Sequence, residues 1–217
     1  MKPQVIGISG SPIKNSNTDR AVKAVLKSTG LETDFIKLSN YKVQPCIACL
    51  GCTKDNICKV KDDFQEIVEK VKHAGAVVVG GYPPYATIDA FTKAFLERLF
   101  SLRHQNGLNR GKLAVTVVTG IGRGAPGLDE ASSQVAQALT MEGMEVVGQL
   151  KVTGNPECMV CGYGQGCPMS ALPWVFGDNT EITPEKFCQV EDQKKTWQQA
   201  EKLGKEIAKK LKKVHLM

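Results

Sequence analysis

Four thiols fall within thirteen residues in Cys46-Ile-Ala-Cys49-Leu-Gly-Cys52-Thr-Lys-Asp-Asn-Ile-Cys58, at gaps of two, two and five residues. Thiolates are soft ligands, suited to iron-sulfur clusters and to zinc. Zinc sites tend to pair Cys-x2-Cys units at a distance. Three cysteines at successive gaps of two resemble the tight wrap around a cubane, and Cys58 is near enough to complete the same site. The spacing therefore favours a [4Fe-4S] cluster, with zinc and unligated or redox-active thiols as the alternatives. A second group, Cys158, Cys161, Cys167 and Cys188, repeats the gaps of two and five found at Cys49, Cys52 and Cys58. It is expected either to hold a second cluster or zinc, or to lie incidentally in a lid.

A different chemistry is written into Ser9-Gly10-Ser11-Pro12-Ile13-Lys14-Asn15-Ser16-Asn17-Thr18. An apolar run, Val5 to Ser9, feeds this hydroxyl-rich loop, and a helix begins at about Asn17, with Ala21, Val22, Val25 and Leu26 at helical spacing. Backbone amides at such a helix start point outward and the helix dipole favours an anion. Ser9, Ser11, Ser16 and Thr18 can add hydroxyl donors, so a phosphate fits; a plain helix cap is the simpler alternative. No G-x-x-x-x-G-K-[ST] and no G-x-G-x-x-G is present, which argues against nucleoside triphosphatases and dinucleotide fingerprints.

The elements that must position these residues follow from hydrophobic pattern. Strands are expected at Val5–Ser9, Thr33–Leu38, Gly75–Gly81, Lys112–Thr119 and Glu145–Val152, and helices from about 17 and at about 62–73, 88–102, 128–142 and 191–213. Asp62 and Asp63 suit the first turn of the second helix. The strands are apolar rather than alternating, which implies a parallel sheet covered on both faces. Ligands of such sheets bind at the carboxyl ends of the strands, where strand order reverses. The Gly/Pro/Ser-rich loops after strands one, three and four, and the cysteine loop after strand two, should meet at that edge. Residues 154–190 show no periodicity, and a structureless stretch of that length is usually functional or disordered.

Composition excludes several classes. At 217 residues the chain can bury roughly 70% of its unfolded surface, so the eight cysteines are not needed as staples. The apolar Val5-Ile6-Gly7-Ile8 is too short for a signal peptide, and no run approaches the roughly 20 residues of a membrane span. A cytoplasmic protein with reduced thiols is expected, without membrane partners. The formal charge of +6 is concentrated in the C-terminal lysines, Lys202 to Lys213, which read as a solvated helix face rather than a nucleic-acid site.

The Gly10-Ser11-Pro12 loop with Asn15, Ser16, Asn17 and Thr18, the Tyr82-Pro83-Pro84-Tyr85 loop and the Cys46/49/52/58 cluster together resemble the iron-sulfur flavoproteins of anaerobic archaea and bacteria. That family lies within the flavodoxin-like, NADPH-dependent FMN reductase superfamily, and the likeness covers residues 3 to 153. It implies an α/β, doubly wound five-stranded parallel sheet in the order 2-1-3-4-5. The division is an FMN domain at 1–153 with an Fe-S loop at 45–61, a cysteine-rich extension or lid at 154–190, and a C-terminal helix at 191–217. By the same resemblance FMN is held by Ser9, Ser11, Pro12, Asn15, Ser16, Asn17 and Thr18 at its phosphate. Its ring would rest on Pro83, Pro84, Tyr85, Ala86 and Thr87 with Thr119, Gly120, Gly122 and Arg123. Thr87 stands where the superfamily usually has glycine, and the second cysteine group lies outside the family pattern.

The function so implied is an oxidoreductase passing electrons between a ferredoxin-like carrier and a two-electron acceptor, as a homo-dimer or homo-tetramer. Two rivals are a cluster-free NAD(P)H-dependent FMN or quinone reductase and a zinc-stabilised binding module.

Overall fold

The computed structural model of the chain describes residues 4–121, 127–178 and 180–214. Five strands, β1 (Val5–Ser9), β2 (Thr33–Lys37), β3 (Ala76–Gly81), β4 (Leu113–Ile121) and β5 (Glu145–Gly154), form one sheet in the order β2-β1-β3-β4-β5, every pair parallel. Between them run α1 (Asn17–Thr29), α2 (Phe64–His73), α3 (Ala90–Arg98) and α4 (Leu128–Met141), with α5 (Leu172–Phe176) and α6 (Lys194–Val214) after the sheet.

Because side chains alternate across a strand, each apolar run feeds two cores. Ile6, Ile8, Val77 and Val79 pack with Phe64, Ile67, Phe95 and Leu99 of α2, α3 and the turn that follows it. On the opposite face Val5, Val78, Val115 and Val117 pack with Val22 and Val25 of α1 and Leu203 and Ile207 of α6. The helices α1 and α6 approach so closely that a Cβ on Gly204 would lie 2.4 Å from the Val25 carbonyl oxygen. Lys202, Lys205, Lys209, Lys212 and Lys213 are exposed on the other side of α6.

Several elements differ from expectation. The helix expected at 62–73 starts at Phe64, and Asp62, instead of lying in its first turn, accepts a hydrogen bond from the Phe64 amide at 3.1 Å. The helix expected at 88–102 breaks into α3 and a 3-10 turn at Leu99–Leu102. Residues 154–190 contain α5 and two 3-10 turns, at Glu157–Met159 and Pro184–Lys186. Trp174 is exposed, whereas Trp197 packs against the α1/α6 core. Among the described residues, no helix is long and apolar enough to cross a membrane.

Candidate functional site

The reversal of strand order lies between β1 and β3, and the loop leaving β1 is the hydroxyl-rich one. Ser16 caps α1 with a capping box: its hydroxyl accepts from the Asp19 amide, and the Asp19 carboxylate accepts from the Ser16 amide. Two first-turn amides, of Asn17 and Thr18, have no intrahelical partner by the geometry of a helix start. Several side chains of this loop already have partners within the chain. Ser9 donates to Asp19 at 2.6 Å, Thr18 to Thr119 at 2.9 Å, and Asn17 to the Cys188 carbonyl at 2.9 Å. Backbone amides, with Ser11 and the exposed Pro12–Asn15 stretch, are therefore the groups left to meet an anion.

Sequence reasoning missed the charges under this loop. Asp19 is buried, and Lys37, at the end of β2 beside Ser9, pairs with it at 2.7 Å while also donating to the Ile13 carbonyl at 2.8 Å. The two charges cancel, so buried Asp19 does not set a net negative charge against a phosphate.

The loops after β3 and β4 meet the first one. The Thr18–Thr119 bond joins α1 to β4 above the end of β3. Gly127, with φ at 84°, caps α4 so close to the β3 loop that a Cβ there would lie 2.1 Å from the Cα of Ala86. Tyr85 and Ala86 themselves take left-handed backbone, at φ 53° and 61°, and Tyr85 is fully exposed. Thr87 spends its hydroxyl on Gln134 at 3.0 Å. Beneath them Asp89 caps α3 and accepts from the Tyr82 amide; burial raises its carboxyl above the ordinary value against these bonds. Thr119 and Gly120 end β4 at the same edge, while Gly122 and Arg123 lie outside the described residues.

The cysteine loop leaves the sheet after β2 and a 3-10 turn at Leu38–Asn40. Cys46, Cys49, Cys52 and Cys58 line one cleft, closed on its inner side by Arg98, Phe100 and Ser101. Three non-glycine residues between them, Ala48, Leu50 and Asn56, hold left-handed backbone at φ 52°, 55° and 55°. Such backbone costs energy and persists only where surroundings over-determine it. The surroundings are a polar frame: Asn56 donates to the carbonyls of Ser101 and His104, and Gln105 donates to that of Thr53. At the loop's far end Arg98 is buried against Asp62 at 2.6 Å, donates to the Gln44 carbonyl at 2.8 Å, and donates Nε–H to Cys58 Sγ at 3.2 Å.

Burial pushes the Cys52 thiol up; a backbone hydrogen bond works against this, and neighbouring Cys58, Cys49 and Cys46 add to the rise. Four thiolates sharing one cleft become charged together only beside a cation, which is the donor chemistry of a thiolate-ligated metal site. Among the described residues, no three His, Cys, Asp or Glu groups stand close enough to hold a single metal ion. The soft, all-sulfur donor set in one cleft fits an iron-sulfur cluster, whose four ligands bind different corners rather than one ion.

The second cysteine group is placed differently. Cys158 Sγ accepts from the Ala171 amide at 3.3 Å and Cys161 Sγ from that of Tyr163 at 3.4 Å. Cys188 is held through its backbone, by Asn155 on both sides and by Asn17. Val190 and Glu191 follow it onto α1, bonded to Asn17 and Arg20. The extension thus returns to the start of α1.

With this geometry in view, the chain matches the NADPH-dependent FMN reductase family over residues 3–155. It is 32% identical over 160 residues to an iron-sulfur flavoprotein of Methanosarcina thermophila, covering 70% of this chain and 83% of that one. A second such protein, from Methanocaldococcus jannaschii, is 33% identical, covering 75% and 83%. The chain belongs to the iron-sulfur flavoproteins of the FMN reductase family, and is a flavin-dependent oxidoreductase with FMN as its flavin. Solved structures share its fold: RosB at a TM-score of 0.61 and 13% identity, covering 97% of this chain and 81% of that one, and an archaeal flavodoxin at 0.52 and 16%, covering 96% and 98%.

Proposed function

We propose that this flavin electron-transfer protein couples FMN to a [4Fe-4S] cluster held by Cys46, Cys49, Cys52 and Cys58, and exchanges electrons with a ferredoxin-like carrier. The observation that carries the reading is that four thiols line one cleft, against the end of α3 and the turn after it, in a chain whose loops after β1, β3 and β4 meet at the carboxyl edge of the sheet. FMN exchanges electrons singly or in pairs and a cluster one at a time, which is the chemistry the two groups supply when bound.

The chain's own residues do the holding. Amides of the Ser11–Thr18 loop and the Ser11 hydroxyl bind the phosphate, and the helix dipole of α1 favours its charge. Pro83 to Thr87 and Thr119 to Arg123 orient the ring; the left-handed backbone at Tyr85 and Ala86 pre-sets that loop's shape. The segment 154–190, bonded to Asn17 and Arg20, shields the phosphate side from water.

Anaerobic purification followed by iron, sulfide, zinc and flavin determination on one sample tests the reading. About four irons with one FMN is expected. Flavin alone returns the chain to a cluster-free reductase, zinc without iron to a zinc-stabilised module, and about eight irons assigns a second cluster to Cys158, Cys161, Cys167 and Cys188.

A further inference from the structure

We propose that Arg98 positions Cys58 and tunes the potential of a cluster held beside it, through its Nε–H···Sγ hydrogen bond. This rests on the reading that the first cysteine group holds the cluster.

The Arg98 side chain is 0% exposed and that of Asp62 2%. Two nitrogens of its fork bond the Asp62 carboxylate, at 2.6 and 3.0 Å, and one of them also reaches the Gln44 carbonyl at 2.8 Å. Asp62 in turn accepts from the Gln44 amide at 2.8 Å and the Phe64 amide at 3.1 Å. The guanidinium carbon lies 4.5 Å from the centre of the Phe64 ring. The loop between Gln44 and Asp62 is therefore closed at its base by one ion pair.

The same arrangement has an electronic consequence. The Asp62 charge is met by two guanidinium nitrogens and two amides, while the Nε edge is the one presented to sulfur at 3.2 Å. An N–H donor at a ligating sulfur stabilises the more negative, reduced state and raises the potential. Only a planar fork can bond a carboxylate with two nitrogens and offer a third elsewhere, so lysine cannot replace it.

Removing Arg98 alone strands a buried carboxylate and endangers folding, so the test uses R98M/D62N, which leaves no unpaired charge, alongside R98K. In the reconstituted protein R98M/D62N should keep its iron while the cluster's midpoint potential, followed by optical titration, moves to a more negative value. R98K should move it the same way. In the metal-free chain, urea unfolding of R98M/D62N, Cys58→Ala and their combination should show coupling. The combined unfolding constant should depart from the product of the separate effects by about threefold or more. A purely structural clamp would leave the midpoint unmoved with iron intact, and that result overturns the tuning role alone. Additivity in the metal-free chain overturns the Arg98–Cys58 contact. A wild-type chain that takes up no iron overturns the cluster reading and the tuning role with it, while the coupling still decides the contact.

Discussion

The two cysteine groups share a residue type and part of a spacing, yet their surroundings have little in common. In the first, four thiols line one cleft, the backbone between them is held in left-handed conformations, and a buried guanidinium reaches one sulfur. In the second, the sulfurs of Cys158 and Cys161 receive neutral backbone amides, and Cys188 is anchored by its backbone to Asn155 and Asn17. A partly shared spacing thus produces unequal sites. What separates them is whether distant residues over-determine the loop, and for the first group those residues are Asp62 before α2, Arg98 at the end of α3, and Ser101, His104 and Gln105 after it.

The sharpest way to break this comparison is to remove one thiol from each group. Cys49→Ala should lose essentially all of about four irons while retaining FMN, and Cys158→Ala should keep them; equal iron loss from both, measured on the purified proteins, would erase the distinction. Next in size, Asp62→Ala leaves Arg98 buried and unpaired and should cost about 3–5 kcal/mol by urea unfolding. Asn155→Ala, which leaves only Asn17 on the backbone of Cys188, should cost only about 1–2 kcal/mol.

The ion pair also carries a pH signature. Burial pushes the Asp62 carboxyl up, but hydrogen bonds from Arg98 and the amides of Gln44 and Phe64 outweigh it and leave it below its ordinary value. A depressed carboxyl stabilises fully above the unfolded value of about 3.9 and loses that stabilisation as pH falls through the folded value. Unfolding followed below about pH 4 should show the wild-type chain losing stability more steeply than Asp62→Asn. Smallest of all, Ser16→Ala should remove the α1 cap for about 1 kcal/mol, read as a small fall in the urea midpoint, without altering iron content.

Much of the fold was legible locally. The apolar runs at Val5–Ser9 and Ala76–Gly81 read as strands buried on both faces because they lack alternation, and the pattern of β and α elements allows few parallel arrangements. Boundaries slipped where tertiary contacts decide them: β4 and β5 each extend two residues past the expected end, pairing Gly120 with Thr153 and Ile121 with Gly154. The hydroxyl-rich loop was legible as a helix start with hydroxyl donors, the place proposed above for a phosphate. Its internal partners were not, since Asp19 and Lys37 look like ordinary helix and strand-end charges.

Arg98 left one trace. It lies four residues after Ala94 and three after Phe95, on the stripe that faces the core, where a charge needs a partner. Nothing nearby named Asp62, thirty-six positions earlier in the chain.

By itself the sequence determined the kinds of chemistry available: soft thiols at cluster spacing, a helix start able to hold a phosphate, and a parallel sheet whose carboxyl edge would gather the loops. Residue type and short-range spacing suffice for these, because ligand softness, helix dipoles and strand periodicity are local properties. Only the tertiary structure decided which cysteine group is enclosed in a charge-compensated frame and which hydroxyls are already spent. A buried ion pair forms only when packing has brought its two charges out of water together, and no local pattern in the chain records that event.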